Sequence, residues 1–291
     1  MHKFFTALIL VVLFCCPSFA EDKNAVLVVS FGTSMPEARK AIDNLVNATR
    51  EEFPGTEVRL SFTSNIIRRK IAREFGEIIP NPVEALAELN DEGFANVCVM
   101  PTHIIPGEEY DEIKNVVQAF RTLKGKYGFH SLKLGRPFMN SSDDTAGMAD
   151  VLIARFASQL KDKDTAIILM GHGTPEHFAN ALYSQLQLEL DRKAYGKFFL
   201  GTVEARPLID DVTAKLKRHP EIKKLVLSPL MIVAGDHANN DLAGEDDDES
   251  WLNVLRREGY EDITTYLVGL GEDVRISAEF TRRIHELTDK E

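Results

Sequence analysis

The amino-acid sequence predicts an α/β protein built from two similar Rossmann-like lobes, at residues 24–140 and 141–291, with a functional cleft between them. Three observations lead to this fold class. Short apolar runs alternate with amphipathic stretches, the second half of the chain repeats motifs of the first, and polar residues follow several apolar runs directly. Strand–helix alternation is typical of βαβ units, whose parallel sheets are covered by helices on both faces. The last predicted helix, residues 274–287, can pack against either lobe.

Short apolar runs mark the predicted strands. They span residues 25–31, 57–62, 96–101, 132–137, 166–170, 198–204, 224–231 and 263–269. Helical patterns fill most of the intervals between them. These predicted helices span residues 36–53, 82–93, 109–123, 143–160, 177–193, 207–219, 250–259 and 274–287. In the basic segment "SNIIRRKIAREFG", helical geometry would spread the charges over more than one face.

The internal repeat is the most informative feature of this organisation. The stretch "NAVLVVSFGTSMPEA" lies beside "DTAIILMGHGTPEHF", so that Gly32 matches Gly173 at an offset of 141. Further on, "VMPTHIIPGEEYDEI" lies beside "LSPLMIVAGDHANND", and Gly107 matches Gly235 at an offset of 128. Two matched motifs in the same order indicate that the lobes have the same architecture.

The first 20 residues, "MHKFFTALILVVLFCCPSFA", have the pattern of a secretory signal peptide. Lys3 precedes an apolar stretch, and the small residues Ser18 and Ala20 stand at the positions that a signal peptidase requires. We therefore expect cleavage after Ala20 and export to the periplasm. The apolar stretch is short for a bilayer span, so no membrane association is expected after cleavage.

Charge and cysteine content narrow the classes of partner. The formal net charge is −11, which argues against nucleic acid and anionic membrane surfaces as partners. Cys15 and Cys16 would leave with the signal peptide, and Cys98 alone cannot form an intrachain disulfide. Stability must then come from a large core. The sequence has no heptad pattern of the kind that forms a coiled-coil interface, and it is compatible with either a monomer or a homo-oligomer.

Two histidines and a glutamate are candidate metal ligands. The repeat places His172 opposite Phe31 and His237 opposite Glu109, and all four follow apolar runs. In open parallel sheets, functional groups gather beyond the carboxyl ends of the strands, so these side chains should meet in the cleft. Two imidazoles and a carboxylate suit Co(II), Ni(II), Fe(II) or Zn(II). For Glu109, spacing alone leaves open the role of an acidic residue at a helix N-terminus.

Glycines flank the first of these histidines. Gly171 and Gly173 are expected to let the backbone turn sharply at His172 and to let a ligand approach closely. A glycine turn also precedes His237. In a chain this acidic, the basic segment around Arg68 would mark where an anionic ligand docks.

The motifs "VVSFGTS", "TSNIIRRKI", "HIIPGEEYDEI", "MGHGTPEHF" and "LMIVAGDHANNDLAG" together resemble the anaerobic sirohydrochlorin cobalt chelatases. These are class II, ATP-independent tetrapyrrole chelatases related in fold to ferrochelatase, and the resemblance covers nearly all of the chain after the signal peptide. It implies a chelatase-like fold and insertion of Co(II), with Fe(II) and Ni(II) as further metals, into sirohydrochlorin. In this family two histidines and a glutamate hold the metal, and on these motifs they fall at His172, His237 and Glu109.

The resemblance also implies roles for the candidate residues. His172 is the expected general base for the pyrrole N–H protons, because an unperturbed imidazole pKa near 6.5 suits proton transfer near neutrality. His237 and Glu109 would hold and orient the ion. Sirohydrochlorin carries many carboxylates, so basic docking groups are expected. The candidates for substrate binding are Arg68, Arg69 and Arg206 for the carboxylates, Ser30, Thr33 and Ser64 for hydrogen bonds, and Phe31 as an aromatic wall.

The signal peptide departs from the pattern of the family and favours one alternative. On that alternative the protein is a periplasmic carrier of a tetrapyrrole, haem or a metal on a chelatase scaffold. His103 in "MPTHIIPG" matches Met231 in the repeat, and both residue types serve as axial haem ligands. His103 is therefore the candidate haem ligand, against the simpler role of a structural histidine at a strand end.

Overall fold

Eight strands form two separate four-stranded parallel sheets in residues 22–289, the part of the chain that the computed structural model describes. The signal peptide predicted at residues 1–20 lies outside these described residues. Within them, no helix is both long enough and apolar enough to cross a membrane.

The first sheet has the strand order β2-β1-β3-β4. Its strands are β1 (Lys23–Ser30), β2 (Glu57–Phe62), β3 (Phe94–Pro101) and β4 (Ser131–Leu134). The helices that alternate with them are α1 (Pro36–Glu52), α2 (Asn65–Phe75), α3 (Pro82–Asp91) and α4 (Glu108–Thr122). A short 3-10 turn, Gly125–Tyr127, precedes β4.

The second sheet has the equivalent order β6-β5-β7-β8. Its strands are β5 (Thr165–Gly171), β6 (Phe198–Thr202), β7 (Lys224–Pro229) and β8 (Asp262–Thr265). The remaining α-helices are α5 (Ser142–Arg155), α6 (Ala181–Ala194), α7 (Ile209–Leu216), α8 (Trp251–Arg257) and α9 (Val274–Thr288). Shorter helical turns are Gln159–Lys161, Phe178–Asn180 and Leu270–Glu272, which are 3-10, and Ala238–Leu242, which is π-helical.

The repeat seen in the sequence holds at the level of strand register. Val29 pairs with Pro101 in the first sheet, and Met170 pairs with Pro229 in the second. These pairs are separated by the same two offsets that align the sequence motifs. The predicted fold class, α/β with two parallel sheets flanked by helices, is therefore confirmed.

The central strands are apolar throughout because helices cover both of their faces. Every residue of β5 is buried, and so are the last six residues of β1. One face of each sheet contributes to a common core, which joins Val28 of the first sheet to Ile167 and Leu169 of the second. The outer faces pack into two separate clusters, one beneath each lobe's own helices.

Several element bounds differ from the sequence prediction. The predicted strand 132–137 ends at Leu134, because the following segment runs alongside residues 103–104 instead, where Phe138 and Met139 donate backbone hydrogen bonds. The predicted helix 143–160 ends at Arg155. Helix α2 lies where only a basic segment is assigned from the sequence, and Ile71 is its one buried residue.

The last helix crosses back to the first lobe. Helix α9 packs against α1 and β3, and the carboxylate of Glu286 lies 2.7 Å from the guanidinium of Arg136. Arg283 is buried, and it donates hydrogen bonds to the backbone oxygen of Phe138 at 2.8 Å and to the carboxylate of Asp144 at 3.0 Å. The end of the chain thus ties the two lobes together.

Candidate active site

His172 and His237 face each other beyond the carboxyl edge of the second sheet. His172 follows β5, and His237 stands where the loop after β7 enters the π-helical turn. The ring centroids are 4.8 Å apart and the ring planes meet at 82°. Phe31 of the first lobe lies 6.5 Å from the His172 ring. The structure thus brings both predicted histidines and the aromatic residue into one cleft.

Hydrogen bonds to Nδ1 orient both imidazoles. Nδ1 of His237 lies 2.7 Å from Oδ2 of Asp241, and Nδ1 of His172 lies 3.0 Å from the backbone oxygen of Gly173. The carboxylate of Glu204 lies 3.6 Å from the same His172 nitrogen. A neutral ring that donates from Nδ1 keeps the lone pair of Nε2 for a metal, and a carboxylate partner raises its basicity.

Glu109 stands in the first turn of α4, near both histidines. Its Oε2 lies 3.3 Å from Nε2 of His103. Burial alone would raise the pKa of Glu109, but the contact with His103 and the charges of His172 and His237 outweigh it, and the pKa is lowered. Glu109 is therefore a carboxylate at neutral pH, on the side of the cleft that the first lobe provides.

The three predicted ligands lie around the cleft, but their side chains do not converge on a single metal position. In the described part of the chain, no three His, Cys, Asp or Glu side chains are close enough together to hold a metal ion. The facing imidazoles therefore form the core of the candidate site, and Glu109 remains in contact with His103.

His103 has a different place from the one predicted for a haem ligand. Its side chain is only 8% exposed, and Nε2 is directed at Glu109. Among residues 22–289, neither ring nitrogen has a well-aligned hydrogen-bond partner. The structure gives the haem interpretation no support, because the ring is buried as a neighbour of Glu109.

Comparison with known proteins decides the family. Residues 24–289 match the family described as Cobalt chelatase (CbiK). The chain belongs to the CbiK cobalt chelatase family. It is accordingly a metal chelatase, and the metal of its family, cobalt, is a substrate of the reaction.

Individual relatives agree with this membership. A sirohydrochlorin cobaltochelatase of Salmonella typhimurium is 34% identical over 267 residues, which cover 91% of this chain and 96% of that protein. The sirohydrochlorin cobaltochelatase CbiKC of Nitratidesulfovibrio vulgaris is 32% identical over 237 residues, 81% of each chain. The structure of SirB from Bacillus subtilis with Fe3+ superposes with a TM-score of 0.60 at 13% identity, covering 91% and 95% of the two chains, and so shares the fold.

Two of the three predicted hydroxyl donors of this CbiK chelatase, those of Thr33 and Ser64, have hydrogen-bond partners within the protein. Ser30 and Thr33 are buried, and the Thr33 hydroxyl accepts a hydrogen bond from the backbone nitrogen of Met35 at 3.2 Å. Ser64 caps α2, where its hydroxyl accepts from the backbone nitrogen of Ile67 at 3.3 Å. Capping satisfies a backbone donor that the first turn of a helix leaves free. These hydroxyls shape the loops around the cleft.

The hydrogen bonds and the ion pair of Arg68 hold α2 against the segment that follows it. Its guanidinium donates to the backbone oxygen of Ile79 at 2.7 Å and to the side chain of Asn65 at 2.9 Å, and it pairs with the carboxylate of Glu84. The sequence could not show this, because a basic segment does not reveal which of its charges the fold neutralises.

Arg69 and Arg206 are the predicted arginines that reach solvent. Arg69 is exposed on α2, which follows edge strand β2. Arg206 follows the equivalent edge strand β6, is 78% exposed, and lies 2.7 Å from Asp211. Both follow the carboxyl ends of their strands, which is the edge of the sheets where the cleft lies.

The glycines around His172 serve the backbone turn, as predicted, and also the packing of the protein itself. A Cβ on Gly171 would lie 2.6 Å from the ring of the buried Tyr183. Gly173 has a φ of 86°, in the left-handed region that favours glycine, and its nitrogen donates to the Tyr183 hydroxyl at 3.4 Å. Packing at Gly171 and the backbone conformation at Gly173 are therefore sufficient reasons for glycine at these positions.

Some functional neighbours were missed from the sequence. Asp241 follows His237 by four residues, and helical spacing would have indicated this pair. Glu204 is brought to His172 by the loop after β6, and no local pattern signals that approach.

Proposed function

We propose that this chelatase inserts Co(II) into sirohydrochlorin without ATP, releasing the two pyrrole N–H protons. The observation that carries the proposal is the facing imidazole pair, 4.8 Å between ring centroids, with both Nδ1 atoms engaged by oxygen acceptors. The substrate is taken from the names of the two curated relatives.

The imidazole pair would receive the ion. Nε2 atoms of neutral histidines suit Co(II), and the same ligands also suit Ni(II) and Fe(II). The side chains of His172 and His237 are 31% and 37% exposed, so one side of a bound ion would face the open cleft. An ion held in this way can exchange its remaining water for the nitrogens of a macrocycle.

The surroundings of the two rings support different roles. A ring that binds the ion through Nε2 cannot accept a proton on the same atom. His237 is held by Asp241 at 2.7 Å, and we assign it with Glu109 to keep the ion. Release of the ion by His172 would free its Nε2 to accept a pyrrole proton, and Glu204 at 3.6 Å from Nδ1 would stabilise the imidazolium.

The macrocycle would dock between groups of both lobes. Phe31 is 42% exposed beside His172 and offers an aromatic face for a planar tetrapyrrole. Arg69 and Arg206 are exposed and positively charged, so they can meet peripheral carboxylates through charge-assisted hydrogen bonds.

An absorbance assay tests this activity. Purified protein is mixed with sirohydrochlorin and Co(II) without ATP. The spectrum is expected to change with time, and the moles of product should exceed the moles of protein. Stoichiometric tetrapyrrole binding without turnover would instead indicate a carrier. A protein that Co(II) stabilises against thermal unfolding and that sirohydrochlorin does not would be a metal-binding module. Either of these results contradicts the proposal.

We also infer that the protein is exported to the periplasm. The inference rests on the sequence pattern of residues 1–20. Fractionation of cells that express the full chain should place the protein outside the cytoplasm, with Glu21 as its first residue on N-terminal sequencing. Recovery of a cytoplasmic protein that retains residues 1–20 would contradict export.

A further inference from the structure

One loop of the second lobe contacts the helix that carries Glu109. This β5 loop, residues 172–180, begins with His172. The hydroxyl of Thr174 accepts a hydrogen bond from the backbone nitrogen of Glu108, in the first turn of α4, at 3.2 Å. Helix N-termini have backbone donors without partners in the helix, and the N-cap residue Gly107 has no side chain to serve them. Thr174 therefore caps α4 from the other lobe.

The two segments are in close contact at this point. A Cβ on Gly107 would lie 3.0 to 3.1 Å from Cβ, Cγ2 and Oγ1 of Thr174. Gly107 has φ −84° and ψ −167°, a conformation that any residue adopts. The approach of Thr174, and not the backbone conformation, is what favours glycine here.

Thr174 is itself held firmly. Its backbone nitrogen donates to Oδ1 of Asn180 at 3.0 Å, and its backbone oxygen accepts from Nδ2 of the same residue at 2.6 Å. Further along the loop, Nε2 of His177 lies 3.3 Å from Oδ2 of Asp111. The β5 loop thus contacts the first turn of α4 on both sides of Glu109.

The repeat shows that this contact is specific to one side of the cleft. Thr33 is the equivalent of Thr174, and Gly235 is the equivalent of Gly107. A Cβ on Gly235 would lie 3.6 Å from Oγ1 of Thr33, an ordinary van der Waals distance. The Thr33 hydroxyl instead accepts from the nitrogen of Met35 in its own loop. The close, hydrogen-bonded contact occurs only where it supports Glu109.

We propose that Thr174 is a positioning residue that fixes Glu109 relative to His172. The proposal rests on the function inferred above, in which these two residues handle the same ion. His172 and Thr174 are two residues apart on one clamped loop, and the Thr174 hydroxyl is bound to the residue before Glu109. The separation of the two ligands is thus set by a short local connection across the lobes.

Two substitutions at this position test the proposal. Thr174→Val removes the hydroxyl and keeps the shape, and Thr174→Ser keeps the hydroxyl. Because misplacement of a reacting group by about 1 Å can cost on the order of 100-fold in rate, we expect Thr174→Val to lower kcat by at least about tenfold. The KM for sirohydrochlorin should stay unchanged, since Thr174 is buried, and Thr174→Ser should restore the wild-type kcat.

Thr49→Val is the matched control. Thr49 is also buried, and its hydroxyl donates to the backbone oxygen of Leu45 at 2.7 Å within the last turns of α1, away from the cleft. We expect it to lower the melting temperature as Thr174→Val does while keeping the wild-type kcat. A structural role for Thr174 would move the melting temperature alone.

Gly107→Ala tests the same contact from the first lobe without removing any hydrogen-bonding group. The added methyl should push α4 away from Thr174 by a few tenths of an ångström and lower kcat. Gly147→Ala in α5, where the methyl meets open space, should keep kcat. The proposal is overturned if Thr174→Val and Gly107→Ala both keep wild-type kcat, or if Thr174→Ser loses as much as Thr174→Val.

Titration with Co(II) alone separates this proposal from the proposed function. If the wild type shows no insertion, the proposed function fails, and the positioning role is still measured by the affinity for Co(II). Weaker Co(II) binding by Thr174→Val than by Thr49→Val would support the role. Equal binding by these two variants would overturn it.

Discussion

Replacing either His172 or His237 by alanine is expected to leave less than about 1% of the wild-type kcat/KM for cobalt insertion, since a positioned acid–base group alone contributes about 100-fold or more. Each substitution removes one of the two imidazoles that face each other at 4.8 Å between centroids. A single remaining imidazole cannot both keep the ion and accept a proton. The initial rate of metal insertion, followed by absorbance at several concentrations of sirohydrochlorin, measures the loss.

The control for these variants is His130→Ala. His130 is exposed, pairs with Asp22 at 3.1 Å, and precedes β4 at the amino edge of the first sheet, away from the cleft. It should keep the wild-type rate, and all three variants should unfold at similar temperatures. If His172→Ala and His237→Ala both keep wild-type activity, the assignment of the site to the facing imidazoles is wrong.

Replacing Arg283 by methionine is expected to lower the free energy of unfolding by about 3–5 kcal/mol, the usual cost of removing one partner of a buried ion pair. The Arg283 side chain is 3% exposed, and it lies 3.0 Å from Asp144 and 2.7 Å from Glu279. Methionine fills much of the volume but leaves the buried Asp144 carboxylate and the backbone oxygen of Phe138 with one donor fewer. Urea unfolding followed by circular dichroism gives the difference.

Arg282→Met is a matched control in the neighbouring position of α9. Arg282 is 51% exposed and pairs with the carboxylates of Glu279 and Glu286 at the surface. Exposed ion pairs contribute about 0–1 kcal/mol, so this variant should unfold close to the wild type. Equal losses for the two variants would show that the buried contacts of Arg283 do not hold α9 in place.

Much of the architecture is predictable from the sequence because the physical signals are local. Buried parallel strands are continuous apolar runs, so β1 and β5 are visible without any tertiary information. The repeat then adds the equivalence of the two sheets, which the register pairs of Val29 and Met170 confirm. The placement of His172 and His237 at one edge follows from this equivalence.

The parts that escape prediction depend on contacts between distant segments. Nothing local indicates that α9 returns to the first lobe, because an amphipathic helix packs equally well on either sheet. The same holds for Arg68, whose partners are set by how α2 meets the segment at Ile79. Gly171 illustrates a related limit, since the ring of Tyr183 that requires it comes from the next helix.

The common core beneath the cleft limits how the two lobes can move. Val28 and Ile167 belong to one continuous apolar cluster, and Gly271 lies so close to the backbone of Ala41 in α1 that a Cβ there would overlap its oxygen. A hinge motion that separates the lobes would expose this cluster to water. Its free-energy cost would rise with the apolar area exposed. The shared core therefore favours one rigid frame, and we expect the cleft to take up its substrate without a large movement of one lobe against the other.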